Sequence, residues 1–290
     1  MSKKKLTVYD LLNLKGKKQI HEVYVNNVEE AIAAEEAGMD MICTAYDMPH
    51  HGIYGKLEDV KRIREAAPNT HLMSAAPEKS YATEDEAVRA AYKLLSIGCD
   101  SFYTNNSSNI IKALYREKVP VISHVGLIPG HANWIGGFRA IGKTADEAIG
   151  VLEHAVELDD AGAIAVELEV VPTKVAEIIT KKVKLLTISM GSGSNCDGQY
   201  LFSQDILGYN AGHIPRHSRI YRNFNKEFDR LHQERVSAYK EFISDTEDKK
   251  FNDPKITVSI EDNDQIAVTY CDDKGNDNEH NNPNLSLIHI

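Results

Sequence analysis

The chain has 290 residues, of which 42% are hydrophobic, so it can build one large domain or two small ones. It contains no apolar run of about 18 residues, and its formal net charge is −10, which argues against a transmembrane helix and against nucleic acid as the main partner. Four widely spaced cysteines without a C-x-x-C pair, and an N-terminus without the apolar core of a secretory signal, favour a cytoplasmic protein.

Short apolar runs alternate with amphipathic segments from residue 20 to about 210. The predicted strands are Ile20–Val25, Met39–Ala45, His71–Ala75, Ser101–Thr104, Val119–Ser123, Ala163–Glu169, Val183–Ser189 and Asp205–Tyr209. The predicted helices are Val28–Ala37, Leu57–Ala66, Glu84–Ile97, Asn109–Lys118, Ala145–Ala161 and Thr173–Thr180. Glycines 38, 98 and 162 stand where three of these helices should end.

Eight strands that alternate with helices over roughly 200 residues predict a (β/α)8 TIM barrel. The alternative is an open, doubly wound sheet. We prefer the barrel because no glycine-rich dinucleotide-binding motif follows the first strand.

The C-terminal part has a different character. Phe224–Ile243 is predicted as a charged helix, which we group with the barrel in a domain of residues 1–245. Residues 246–290 carry ten acids and four lysines and form an acidic tail. Within this small extension, Lys255–Ile260 and Gln265–Cys271 alternate like the strands of a β-hairpin, and a polar stretch predicted to be disordered follows.

In a barrel, the residues that end the strands face the active site. Glu167 and Glu169 are two apart near the end of the sixth strand, so both side chains lie on one face. A carboxylate at the mouth of a barrel can serve as a general base, and Glu169 is the stronger candidate. The fifth strand ends at His124, which can donate to a substrate carboxylate or carbonyl. The alternatives are a solvated rim for the glutamates and a backbone-bonded core position for the histidine.

Two loops add weaker candidates. Asp47, His50 and His51 follow the second strand and could hold a metal ion such as Zn²⁺ or Fe²⁺, although adjacent histidines point in different directions. A substrate pocket or a surface turn is the alternative there. Ser192 lies in a Gly-Ser loop after the seventh strand, where barrels often bind an anion.

Several motifs occur in an order and spacing that resemble ketopantoate hydroxymethyltransferase. They are YATEDEA (81–87), PVISHVGLIPG (120–130), LEVVP (168–172), GSGSNCDGQ (191–199) and GHIPRH (212–217). The resemblance covers roughly residues 6 to 225. It implies a barrel of the phosphoenolpyruvate mutase and isocitrate lyase type, a small-molecule 2-oxo acid substrate and a homo-oligomer.

The resemblance also implies a reaction. The family removes a proton from C3 of 3-methyl-2-oxobutanoate, and the enolate attacks a one-carbon unit from 5,10-methylenetetrahydrofolate, in pantothenate biosynthesis. Mg²⁺ stabilises the enolate oxygen. The family's catalytic glutamate matches Glu169, and its substrate-contacting histidine matches His124.

The chain departs from the family at its metal and substrate ligands. A metal-binding aspartate becomes Tyr46, unless a one-residue slip restores it as Asp47, and a second becomes Ala75. The lysine and acid of the fourth strand become Tyr103 and Asn105. Because Mg²⁺ prefers carboxylate oxygens, we expect its binding to be weakened or lost. Predicted substrate contacts are His124, Asp47, Tyr46, Tyr103, Asn105 and Ser192.

Three functions follow. The first is the family's hydroxymethyl transfer, or a close variant of it. The second is a diverged aldolase or lyase on another 2-oxo acid, with no metal or a different one, in which Tyr103 and Asn105 bind the oxyanion by neutral hydrogen bonds. The third is a non-catalytic barrel that binds a metabolite or a partner.

Overall fold

The structure of the protein is a computed structural model that describes residues 4–49, 52–212, 214–253 and 255–257. The chain divides into two compact units, Met1–Phe224 and Asn225–Ile290. Each unit is described by itself. This division assigns the long C-terminal helix to the second unit, whereas the sequence grouped it with the barrel.

Eight parallel strands form a closed barrel in which each strand pairs with the next and the last pairs with the first. The strands are β1 (Ile20–Tyr24), β2 (Met41–Ala45), β3 (His71–Ala75), β4 (Ser101–Tyr103), β5 (Val121–Gly126), β6 (Ala165–Glu169), β7 (Leu186–Met190) and β8 (Gly198–Phe202). The predicted (β/α)8 barrel is therefore confirmed, and an open sheet is excluded.

Helices connect most of the strands. Those of the first unit are α1 (Val8–Leu12), α2 (Val28–Ala37), α3 (Leu57–Ala66), α4 (Glu84–Ser96), α5 (Ser108–Arg116), α6 (Ala145–Ala161), α7 (Thr173–Lys182) and α8 (Ser203–Leu207). Gly38, Gly98 and Gly162 have φ of 87°, 97° and 95°, so each takes the left-handed conformation that ends a helix, as predicted.

The eighth strand was predicted in the wrong place. We expected it at Asp205–Tyr209, but the strand is Gly198–Phe202, and Ser203–Leu207 is the short helix α8. Gly208, with φ of 70°, closes that helical turn. The apolar residues before Gly208 suggested a strand, whereas the true strand is short, begins with glycine and directly follows a polar loop.

The strands separate two apolar layers. The outer layer packs the strands against the helices and includes Ile42, Leu72 and Phe102. The inner layer fills the barrel with alternate residues of the same strands, such as Met41 and Met73. Leu11 of α1, which is 1% exposed, belongs to the inner layer and covers the end of the barrel where the strands begin.

Carboxylates anchor the same end of the barrel. Asp40, Asp100 and Asp197 each stand one residue before a strand. Their Lys partners are 2.6–2.8 Å away, namely Lys18 for Asp40, Lys5 for Asp100 and Lys15 for Asp197. Asp100 also accepts from Arg64 (2.8 Å) and from the backbone N–H of Leu72 (2.9 Å), so one side chain joins β3, β4, α3 and the N-terminal segment.

The second unit contains the helix α9 (Phe224–Glu247), which has no buried residue. The hairpin predicted from Lys255–Ile260 and Gln265–Cys271, and the disorder predicted after it, lie almost wholly outside the described residues. None of the described helices combines the length and the apolarity needed to span a bilayer.

Replacing Asp100 tests this anchor. We expect Asp100→Ala to lower the free energy of unfolding by about 3 kcal/mol, because it leaves Arg64 and a backbone N–H without their acceptor. The matched control is Asp85→Ala, which removes an exposed pair with Arg89 and should cost at most about 0.5 kcal/mol. Urea denaturation measures both, and equal losses would contradict the assignment.

Candidate active site

A cavity of about 500 Å³ opens where the strands end. Its lining combines apolar residues with polar groups from the strand ends and from the loops that follow them. The groups in the lining that can carry charge or act as strong donors include Glu78, Lys79, Tyr103, Asn105, His124, His131, Glu167, Glu169, Tyr200 and Asp205. The position matches that of active sites in barrels of this kind.

At the centre of the lining, one imidazole lies between two carboxylates. The pairing of β5 with β6 sets His124 opposite Glu167 and Gly126 opposite Glu169. Nδ1 of His124 is 3.3 Å from Oε2 of Glu167, and Nε2 is 3.2 Å from Oε2 of Glu169. Because alternate residues of β6 face the barrel interior, both carboxylates meet the same ring.

Backbone geometry fixes this arrangement. Gly126 has φ of 87°, and a Cβ there would lie 2.4 Å from the carbonyl oxygen of Glu169. The next residue, Leu127, donates its N–H to that oxygen at 2.9 Å. Val170 follows Glu169 with φ of 50°, an unusual value for a β-branched residue. The close approach that holds Glu169 at the strand end therefore requires glycine at position 126.

Within the cluster of His124, Glu167 and Glu169, the pKa values of His124 and Glu167 are shifted. Burial lowers the pKa of His124, but hydrogen bonds and charge from Glu167 and Glu169 outweigh it and raise the pKa to about 9. The imidazole is therefore a cation at neutral pH. Burial raises the pKa of Glu167, and the hydrogen bond and charge of His124 oppose this rise.

Tyr103 joins the cluster from β4. Its hydroxyl is 2.8 Å from Nδ1 of His124, and the two rings are nearly perpendicular, at 85°. Burial raises the pKa of Tyr103, and the charges of Glu167 and Glu169 raise it further. The phenol thus keeps its proton at neutral pH.

A second acidic group lies deeper in the barrel. Glu22 of β1 is 3% exposed, and neither of its carboxylate oxygens has a hydrogen bond of normal geometry within the described part of the chain. Burial and the charge of Glu167 raise the pKa of Glu22. The thiol of Cys43 donates to the hydroxyl of Tyr200 (3.1 Å) in the same region.

The structure brings five of the residues singled out in the sequence to one cavity. Tyr103, Asn105, His124, Glu167 and Glu169 all line it. They lie on or just after the neighbouring strands β4, β5 and β6. The rule that the ends of barrel strands face the active site therefore identified them from the sequence.

Other predicted residues lie elsewhere. Tyr46 is 8% exposed and packs in the outer apolar layer. Asp47 is exposed, with φ of 52°, and does not line the cavity. Ser192 is buried, and its hydroxyl donates to the carbonyl of Leu168 (2.7 Å) and accepts from the N–H of Val171 (2.9 Å). The structure therefore places Tyr46, Asp47 and Ser192 apart from the cavity lining, and their predicted substrate contacts stay predictions. His50 and His51 lie outside the described residues.

Sequence reasoning missed several groups in and below the cavity. Tyr200 and Phe202 were missed because the eighth strand was misplaced. Glu22 alternates with Ile20 and Tyr24 on the inner face of β1, a spacing that could have identified it. A glutamate at such a position normally indicates a solvent-facing side chain, so the alternation alone does not mark Glu22 as an interior group.

The described residues do not fit the Mg²⁺ implied by the family resemblance. Ala75 lines the cavity but offers no ligand atom, Tyr46 lies in the outer layer and Asp47 is outside the cavity. Within the part of the chain that the structure describes, no three His, Cys, Asp or Glu side chains are grouped to hold a metal ion. The positive charge beside Glu167 and Glu169 comes from the His124 imidazole.

Comparisons with known proteins agree with the resemblance. A protein-family model described as ketopantoate hydroxymethyltransferase matches residues 5–254. A 3-methyl-2-oxobutanoate hydroxymethyltransferase from Kosmotoga olearia is 31% identical over 265 residues, which cover 86% of this chain and 96% of that protein. One from Aliivibrio fischeri is 34% identical over 264 residues, which cover 86% of this chain and 97% of that protein.

Solved structures share the barrel. A structure from Burkholderia cenocepacia, described as a putative phosphonomutase, superposes with a TM-score of 0.52 at 11% identity. The match covers 67% of this chain and 92% of that one. At this identity the likeness shows the fold alone.

The charge on His124 predicts a pH dependence of stability. Its folded pKa of about 9 exceeds an unfolded value of about 6.5, so its stabilisation is full below pH ~6.5 and is lost as the pH rises through 9. We expect urea denaturation to give a free energy of unfolding on the order of 3 kcal/mol larger at pH 6 than at pH 10.

The control is His124→Gln, in which the decline between these pH values should be much smaller. The raised pKa values of Glu22 and Glu167 act in the same direction in both proteins. Equal declines in the two proteins would show that His124 is not a buried cation.

Proposed function

The chain belongs to the ketopantoate hydroxymethyltransferase family, and we propose that it adds a hydroxymethyl unit to the enolate of 3-methyl-2-oxobutanoate. One observation carries the proposal. Two carboxylates of one strand end, Glu167 and Glu169, flank the His124 cation in the wall of a cavity. Such a site can remove a proton from carbon and hold the charge that results.

Glu169 is the general base in this proposal. Its side chain is 13% exposed, compared with 4% for Glu167 and 3% for His124, so it is the most accessible member of the cluster. Abstraction of the C3 proton leaves the electron pair of the C–H bond in a new C=C bond, and the carbonyl becomes an enolate. Water and 5,10-methylenetetrahydrofolate supply the one-carbon unit at the oxidation level of formaldehyde, both C–N bonds to that carbon break, and tetrahydrofolate leaves. The enolate carbon attacks this carbon, and the alkoxide that forms takes the proton held by Glu169.

His124 orients the reacting groups. Its two nitrogens face Glu169 on one side and Glu167 with Tyr103 on the other, so the ring holds both the base and a donor in place. The sequence predicts that His124 donates to a substrate carboxylate or carbonyl. The hydrogen bond of its Nδ1 with Tyr103 and the contact of its Nε2 with Glu169, 3.2 Å away, favour a positioning role instead.

The finer features of the proposal come from the family. The one-carbon donor is 5,10-methylenetetrahydrofolate, the pathway is pantothenate biosynthesis, and the protein forms a homo-oligomer. Isothermal titration with tetrahydrofolate and mass measurement of the native protein check the first and the last of these features.

A second candidate is a diverged aldolase or lyase for another 2-oxo acid. It is favoured by the neutral residues Tyr103 and Asn105, which line the cavity in place of the family's lysine and acid. Proton exchange measured on a series of 2-oxo acids separates the two candidates, because each predicts a different preferred substrate.

The role of Glu169 is tested by Glu169→Gln. We expect deuterium exchange at C3 of 3-methyl-2-oxobutanoate, followed by NMR, to fall by about 10²-fold or more, because the amide cannot accept the proton. The matched control is Glu153→Gln on the exposed face of α6, which should exchange at the wild-type rate.

Thermal denaturation of both variants shows whether the fold is kept. Full exchange activity in a folded Glu169→Gln protein would contradict the assignment of the base. Absence of exchange in the wild-type protein, with every metal tried, would contradict the proposed substrate.

A further inference from the structure

Enolate formation places negative charge on the former carbonyl oxygen, and some group must stabilise it. In the family this group is Mg²⁺, and the described residues do not fit that ion. Another group of this chain must therefore stabilise the enolate oxygen in place of Mg²⁺, an inference that rests on the proposed function.

Few groups in the cavity wall can do this. Among its described residues, Lys79, His124 and His131 can carry positive charge. Lys79 and His131 are exposed, and burial lowers the pKa of His131. His124 is buried and charged. Its Nε2 lies 3.2 Å from Glu169 without a hydrogen bond of normal geometry, whereas its Nδ1 is hydrogen-bonded to Tyr103. The charge of the ring can therefore reach a substrate through the neighbour bonded to Nδ1.

Tyr103 is that neighbour. In the imidazolium form, Nδ1 of His124 carries a hydrogen and can donate it to the phenol oxygen, 2.8 Å away. The phenol hydrogen is then not used by His124 and can be offered to a ligand in the cavity that Tyr103 lines. Donation from a cation to the phenol oxygen strengthens the hydrogen bond that the phenol itself donates.

We propose that Tyr103, held by His124, donates a hydrogen bond to the oxo oxygen of a 2-oxo acid and stabilises its enolate in the position that the family gives to Mg²⁺. The proton balance is simple. Glu169 takes the C3 proton, the carbonyl π electrons move to oxygen, and the phenol keeps its own proton throughout. When the enolate carbon bonds to the one-carbon unit, the carbonyl re-forms and the hydrogen bond weakens.

The electrostatics of Tyr103 support this role. Burial, then Glu167 and Glu169, raise its pKa, so the hydroxyl stays a donor across the neutral range. The charges of Tyr81 and Cys43 also raise its pKa, and the His124 cation faces the hydroxyl at 2.8 Å. A neutral phenol backed by a cation can meet a developing oxyanion without the cost of placing a free charge in the cavity.

The test compares Tyr103→Phe with wild type in the presence of EDTA. The matched control is Tyr92→Phe, on the outer side of α4, where the ring is 49% exposed. We expect wild type and Tyr92→Phe to exchange the C3 proton of 3-methyl-2-oxobutanoate with EDTA present. Tyr103→Phe should be slower by about 10²-fold or more, the usual effect of losing one oxyanion donor.

A binding measurement gives a second readout. Oxalate resembles the planar enolate of a 2-oxo acid, and calorimetry with EDTA present should show binding that Tyr103→Phe weakens by about tenfold. Unchanged thermal denaturation would show that the variant keeps its fold.

The outcomes separate this inference from the proposed function. Exchange that requires added Mg²⁺, or exchange and oxalate binding that are equal in Tyr103→Phe and wild type, would overturn the role of Tyr103 and leave the proposed function standing. Absence of exchange in wild type, with or without metal, would overturn both.

Discussion

The ionic contact of His124 with two carboxylates is the interaction on which the rest of the site depends. A buried imidazolium is stabilised by neighbouring negative charge, which Glu167 and Glu169 supply. The register of β5 against β6 brings the three side chains together, and Gly126 permits the close approach that this register needs. Removing His124 would leave the two carboxylates without the cation that lies between them.

The periodic spacing of apolar residues explains how much of the fold could be predicted from the sequence. A buried strand has a period of two and a helix a period of 3.6, and seven of the eight strands were found from these periods and from the glycines that end helices. The same period placed Glu167 and Glu169 on one face, and the strand ends led to Tyr103 and His124. The eighth strand was missed because five residues after a polar loop carry too little pattern, while a helical turn nearby had more apolar residues.

Side-chain roles in loops were harder to predict because they depend on neighbours that are distant in the chain. Ser192 has the residue type and location of an anion-binding serine, yet its hydroxyl ties two backbone groups of the β6–α7 connection together. Tyr46 turns into the outer layer because the chain leaves the strand at that point. Glu22 shows the reverse case, an acid that lies in an interior that normally excludes charge and whose pKa is raised by that burial.

The three aspartates that precede β2, β4 and β8 lie at the end of the barrel where the strands begin, away from the cavity. Stability and chemistry are thus held by different residues at opposite ends of the same strands. Such a division lets the residues that line the cavity change while the scaffold still assembles. The fold can then survive a change of catalytic strategy, and a divergent member of an enzyme family can explore new chemistry without first acquiring a new architecture.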